Sequence, residues 1–293
     1  MPSHPSQTFA AVKARYLIAG FFVTTLIAII AYIIIVPDDG QVTEVPITDA
    51  ILGFAYSAMI CVIPLLICWR KGLLRDFSLG EWPSAKQVRL YLSLGAPMVG
   101  IAIFAFFLVY LPLSYVAPDF VTAWALDDPR LIWWQGNTDT LIASGINIVT
   151  MVIVAPVVEE LFFRGFLLNR LWHKYGFGAG AVLSSIAFAI GHVEMLGAMV
   201  FGIVLSVIYA RTGSLIGPIL VHMANNAIVV MLMLTEGALT GDIANWTLDG
   251  FRSDWWLAVA GAIVGVPWLA WYCWMHLRAE THPQPVEAVT EPE

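Results

Sequence analysis

The sequence is short of charge. Of its 293 residues, 14 are Lys or Arg and 21 are Asp or Glu, so charged residues make up 12%, against about 25% in a soluble domain. With 59% hydrophobic residues and a mean hydropathy of +0.80, that shortage excludes a soluble globular fold. Cysteine is scarce too. Cys61, Cys68 and Cys273 all lie in apolar runs, none has Cys-x-x-Cys spacing and their number is odd, which argues against a disulfide framework and for small apolar fillers. Several protease signatures are missing. There is no His-Glu-x-x-His, which leaves a zincin-like site unsupported. There is no Gly-x-Ser-x-Gly or Gly-x-Gly-Asp, and Ser144 lacks the flanking pattern of a serine nucleophile. No internal repeat and no long low-complexity segment is present, and no nucleic-acid partner is expected.

What the chain has instead is apolar length. Tyr16 to Val36 is free of charge and long enough to cross roughly 30 Å of hydrocarbon. It is too long for a signal-peptide core and is read as a retained first span. Further spans are expected at about 50–69, 91–113, 214–234 and 255–275. A fourth run, from Leu141 to about Trp172, would reach ~48 Å as one helix, so Pro156 is expected to kink or split it. Segments 179–193 and 195–210 are short for full spans and read as half-depth helices. The fold expected is an all-α polytopic transmembrane bundle of about eight segments. It divides into three spans with a basic linker (1–140), a core (141–235), and an outer loop, last span and acidic tail (236–293). The linker 70–89 suits an interfacial amphipathic helix and a solvated loop equally.

Lys and Arg are sorted. With eight crossings, 12 of the 14 fall on the side of both termini and only Arg130 and Arg252 on the other. By the positive-inside rule both termini are cytoplasmic.

The core carries charge where lipid should be. Glu159, Glu160 and Arg164 sit inside the fourth apolar run, at a cost of a few kcal/mol per charge. Glu160 and Arg164 are spaced i,i+4 and share a helix face, so they can pair. Glu159 lies about 100° round the helix and has no partner at helical spacing. One acid is thus pre-paired and one is free, the asymmetry a general base requires. Depth arithmetic about a hairpin turn near Tyr175–Gly176 brings His192 to the level of Glu159. It also brings His222 and Asn226, on one face of the seventh span, within reach. A desolvated carboxylate, an imidazole to hold water, and a second imidazole and carboxamide as oxyanion donors suit hydrolysis of an acyl bond.

Glu-Glu-x-x-x-Arg (Glu159–Arg164), Phe-x-x-x-His (Phe188–His192) and His-x-x-x-Asn (His222–Asn226), in that order on successive segments, resemble the CAAX protease and bacteriocin-processing (CPBP, or Abi) family. This family of intramembrane proteases includes the type II CAAX prenyl endopeptidases. The resemblance covers about 141–235. It implies an intramembrane endopeptidase in which Glu159 and His192 activate water and His222 and Asn226 stabilise the oxyanion. Glu160 and Arg164 would support the site or orient substrate. The family has also been regarded as metal-dependent. Glu159, His192 and His222 have the chemistry of a three-ligand zinc site with an open position, and the metal-free glutamate mechanism is favoured over it. The expected partners are a peptide or lipidated protein substrate and membrane lipids, and the expected location is a bacterial inner membrane. Two other classes stay open: a catalytically silent scaffold or immunity-type protein, and a proton-coupled transporter with Glu159 and His192 as a relay. The absence of repeat symmetry disfavours the transporter.

Overall fold

The computed structural model describes residues 6–35, 46–76, 78–127, 131–134, 136–243 and 246–279. Residues 36–45, Arg130 and the acidic tail from Glu280 lie outside them. The described residues form helices and no strands. A short α1 (Gln7–Ala10) precedes α2 (Ala14–Ile35), α3 (Pro46–Met59), α4 (Val62–Arg70), α5 (Ala85–Ser93) and α6 (Gly95–Val116). After the short α7 (Pro118–Val121) come α8 (Thr138–Val149), α9 (Ala155–Glu160), α10 (Asn169–Tyr175) and α11 (Phe177–Ala189). The chain continues through α12 (Met195–Thr212), α13 (Ile216–Thr240), α14 (Leu248–Ser253) and α15 (Trp256–Ala279).

Seven of the helical stretches are long and apolar enough to cross a membrane. The eighth apolar segment, α11, is shorter. At helical rise it reaches about 20 Å, so the half-depth expectation fits it. Its neighbour α12 was expected to be equally short, but it runs on through Arg211 and Thr212 to 18 residues. The reason is that Gly213, in the left-handed conformation, sets the cap two residues later than the apolar run alone suggests.

Pro156 does not split the fourth segment. Thr138–Tyr175 is one helical stretch of 38 residues, loosened by π-helical turns at Thr150–Val154 and Leu161–Leu168. The first of these lies just before Pro156, where the ring takes away a backbone donor. The wider turn accommodates that loss within a continuous helix. Gly176, at φ 83°, reverses the chain into α11 with a geometry that only glycine adopts without strain. The linker after α4 divides: residues from Ala85 on open the capped helix α5, while the part before it is neither amphipathic helix nor free loop. A 3₁₀ turn (Leu73–Asp76) leads to a non-helical strap. There the Leu79 carbonyl accepts from the Leu215 N–H at 2.7 Å and from Ser214 Oγ.

The basic sorting is visible as one end of the bundle. Lys71 Nζ donates to the Ala11 carbonyl and Arg170 Nη1 to the Ala10 carbonyl. The strap after Arg75 docks at Ser214, beside Arg211. α15 lies antiparallel along α6: a side chain at Gly265 would meet Pro97 and one at Gly261 would meet Phe104. Its last residues therefore return to the basic end, and both described ends of the chain, Ser6 and Ala279, emerge there. At the far end Arg252 bonds the Ser114 hydroxyl and carbonyl. The main core lies around Phe162, Phe166, Phe188, Leu205 and Val221, where the fourth segment packs on α11, α12 and α13. Cys61 and Cys68 are buried free thiols, as the filler reading expects, while Cys273 is exposed. Ser144 is structural: it bonds the Thr140 carbonyl and accepts from the Trp133 N–H.

Candidate active site

Glu160 and Arg164 are side by side and fully enclosed. Arg164 Nη1 lies 2.8 Å from Glu160 Oε1, with the side chains 1% and 0% exposed. A lone buried charge would be expelled or neutralised, so each requires the other. The pair has a third member. His222 Nδ1 also lies 2.8 Å from Glu160 Oε1. An ionised carboxylate only accepts, so Nδ1 carries the proton of that bond. The opposite ring nitrogen, Nε2, points to Glu159, 3.8 Å from its Oε2. The Glu159 side chain is 23% exposed, the accessible acid of the doublet. The carboxylate expected to be pre-paired and the one expected to be free are so disposed.

Phe188 is the surface on which these groups converge. Arg164 Cζ sits 4.5 Å over its ring centroid, a cation–π contact that covers the guanidinium's flat face. The His192 ring packs on the same phenyl at 4.3 Å and the His222 ring edge-on at 5.9 Å. Phe201 closes the other side of His222 at 5.0 Å. His192 lies in the turn between α11 and α12. Its Nδ1 is 2.9 Å from the Phe188 carbonyl, so Nδ1 is the donor and Nε2 is left open. The phenyl of Phe-x-x-x-His thus orders three of the site's polar groups, a role the motif alone did not reveal.

Asn226 is placed differently from the expectation. It lies one turn beyond His222 on α13, but its Nδ2 donates to the Met151 carbonyl at 2.8 Å and its Oδ1 accepts from Asn225. Met151 is in the first π-helical segment, whose wide turns free carbonyls from the helix ladder. The second π segment is handled likewise by Asn169, a buried residue the sequence reading passed over. Its Nδ2 bonds the Arg164 and Gly165 carbonyls and the Tyr209 hydroxyl, and its Oδ1 accepts from the Ser6 N–H. An amide in an apolar helix five residues after Arg164 was a usable signal, by the same cost argument that singled out the acids. Glu194 stands at the N-cap position of α12 without a side-chain capping bond, and its Oε2 is buried and without a hydrogen-bond partner among the described residues.

The trio Glu159, His192 and His222 does not fit a metal centre. Among the described residues no three His, Cys, Asp or Glu side chains meet in an arrangement able to hold a metal ion. His192 and His222 each donate Nδ1–H to a protein oxygen and keep Nε2 open, which metal-binding imidazoles also do, so it is the spacing of the three groups alone that speaks against a metal.

Residues 142–228 match the model of the type II CAAX prenyl endopeptidase Rce1-like family. The family resemblance is borne out over this core. Over 103 residues the chain is 30% identical to YdiL of Bacillus subtilis, named a membrane peptidase, a match that takes in 34% of this chain and 42% of that protein. It is 29% identical over 111 residues to the membrane-embedded CAAX protease MroQ of Staphylococcus aureus, covering 33% of this chain and 45% of the relative. An uncharacterised 24.3 kDa protein of Escherichia coli is 31% identical over 86 residues, 27% of this chain and 40% of its own. The chain thus spans less than half the length of these relatives. No solved structure matches it.

Proposed function

We propose that this protein is an intramembrane endopeptidase that hydrolyses a peptide bond of a membrane-associated substrate, with Glu159 as the base. The carrying observation is the division of labour in the acid doublet. Glu160 is enclosed, with its Oε1 held by both Arg164 and His222. Glu159 is partly open and stands beside a histidine nitrogen. In the reaction Glu159 takes a proton from water, with the open Nε2 of His192 accepting the water's second hydrogen. The oxygen adds to the carbonyl carbon, the C–N bond breaks, and the proton passes from Glu159 to the leaving amine.

Oxyanion stabilisation falls to His222 and Asn226. Because His222 already uses Nδ1–H on Glu160, its Nε2 donates to an oxyanion only in the doubly protonated ring. The oxyanion itself balances the added charge, since Glu159 by then holds the water's proton. Asn226 donates one N–H of its amide to the Met151 carbonyl, and the second N–H is the donor available to the oxyanion. No step runs through a metal. The family match and the relatives' names support peptide hydrolysis. MroQ's name extends the reading to a CAAX-type, lipidated substrate as its most specific form. The location proposed is a bacterial cell membrane, with the basic end in the cytoplasm.

The test is Glu159→Gln in purified, reconstituted protein, with cleavage products read by terminal proteomics and folding checked by thermal unfolding. A loss of at least about 10²-fold in cleavage is expected with folding retained. Retained turnover in a folded Glu159→Gln protein refutes the assigned base.

A further inference from the structure

The basic end of the bundle holds a cleft away from the acids. Its volume is about 270 Å³, and Lys13, Arg15, Arg170 and Lys174 line it. The first two stand at the mouth of α2, and the last two on α10, where the long fourth segment ends. None of the four makes an ion pair with an acid among the described residues. Arg15 lies over the Tyr16 ring and bonds its hydroxyl, Lys174 lies over the Tyr175 ring, and Arg170 bonds the Ala10 carbonyl. Four cations gathered with no counter-charge among the described residues repel one another. An anion seated among them removes that cost.

The form of the cleft says which kind of anion. Both helices reach it at the ends of apolar spans, so it lies at the level of lipid head groups. Ala14 lines its floor, and from there the i,i+4 row on α2 continues to Ile18 and Phe22, which are 53% and 66% exposed. A mostly apolar cleft rimmed by basic side chains, opening onto an apolar track along one helix, matches an amphiphile with a charged head and a chain below it. Basic pockets between spans on the cytoplasmic side take anionic lipid head groups.

We infer that the cleft between α2 and α10 is a binding site for an anionic phospholipid, with Lys13, Arg15, Arg170 and Lys174 on the phosphate and Ile18 and Phe22 along the acyl chain. The lipid would clamp the start of α2 to the end of the segment that carries the acid doublet.

The test uses the full-length protein in nanodiscs of phosphatidylcholine with or without phosphatidylglycerol, with retained lipid counted by native mass spectrometry. Wild type is expected to retain phosphatidylglycerol over phosphatidylcholine. Lys13→Gln/Arg15→Gln and Arg170→Gln/Lys174→Gln are each expected to weaken retention by about five-fold per charge removed, while Lys86→Gln/Arg89→Gln, at the same end but outside the cleft, leaves it unchanged. The two cleft pairs are on separate helices, so misfolding of one leaves the other to decide. Equal loss in the Lys86/Arg89 control would mean a general basic annulus and overturn the site, as would unchanged retention in a folded cleft pair. A final arm adds inorganic phosphate. If it displaces phosphatidylglycerol or raises the unfolding temperature as much as the lipid does, the cleft takes a soluble anion and the lipid assignment fails.

Discussion

His222 Nδ1 and Glu160 Oε1 are 2.8 Å apart on helices 62 residues separated in sequence. The bond makes Glu160 the residue that sets which nitrogen of His222 carries a proton and which way the ring faces. A carboxylate–imidazole pair of this kind fixes a tautomer, and its loss leaves the geometry while removing the function. Glu160→Gln is therefore expected to lower kcat on the order of 10²–10⁴-fold and also to lower the unfolding midpoint, because it leaves the buried Arg164 guanidinium without its charge partner. Single-turnover cleavage measures it, and ¹⁵N chemical shifts of the His222 ring read the tautomer directly. A variant whose kcat stays within about threefold of wild type, or whose ring keeps its proton on Nδ1, contradicts the positioning role.

Arg164 is the second support and acts on stability. Its guanidinium is 1% exposed, bonded to Glu160 and covered by Phe188. Arg164→Ala leaves a buried carboxylate without its charge partner, which costs about 3–5 kcal/mol. A large fall in the unfolding midpoint in detergent is the expected result, together with loss of activity. Arg164→Lys keeps the charge but neither the planar stack nor the fork, and should fall between. An Arg164→Ala protein as stable as wild type would mean that Glu160 is not held as a charged pair.

Some of this site was legible in the sequence and some was not, for reasons that differ by residue. The Glu160–Arg164 pair was legible because i,i+4 spacing places two side chains together within one helix, whatever that helix packs against. The partner of His222 was not. Spacing within α13 fixes its depth, but the rotation of α13 about its own axis comes from packing against Phe188 and Phe201, and that rotation hands the imidazole to Glu160 as well as Glu159. The hydrogen bond that Asn226 makes was hidden for a related reason. Its present partner, the Met151 carbonyl, is available because of a π-helical turn, and such turns have no residue period to read. Segment number and the basic end were legible, since apolar length and the sorting of Lys and Arg follow from the bilayer itself. The reach of α12 and the unbroken passage through Pro156 depended on a cap and a wide turn instead.

Gly202 tests how tightly the buried cluster is packed. A methyl group there would lie 2.8 Å from Ser185 Cβ and Oγ and 2.9 Å from Arg164 Nη2. Ser185 Oγ and Arg164 Nη2 have no hydrogen-bond partner among the described residues, so the glycine keeps open the space these atoms face. Ser185 Cβ is fixed to the backbone of α11 and cannot swing aside. Gly202→Ala is expected to cost about 1–3 kcal/mol through overpacking and to reduce activity by displacing the guanidinium. Unfolding midpoints of Gly202→Ala alone and combined with Ser185→Gly separate the causes. Recovery in the double variant supports a steric clash, and no recovery rules it out.

Asn226 offers the sharpest separation between a structural and a chemical role. As the structure stands, its carboxamide ties α13 to the π segment of Thr150–Val154 through one interhelical bond. Such bonds in membrane proteins are worth about 0.6 kcal/mol on average. If that bond were its whole contribution, Asn226→Ala would shift the unfolding midpoint slightly and leave kcat nearly intact. If the amide also donates its second N–H to the oxyanion during turnover, the same variant loses about 10²–10³-fold in kcat, with the same small change in stability. The second result is expected. Asn226→Asp sharpens it, because the isosteric carboxylate has no donor and repels a developing negative charge, so its activity should fall at least as far as that of the alanine variant. Should Asn226→Asp cleave as fast as wild type, the carboxamide takes no part in the chemistry, and His222 alone must carry the oxyanion.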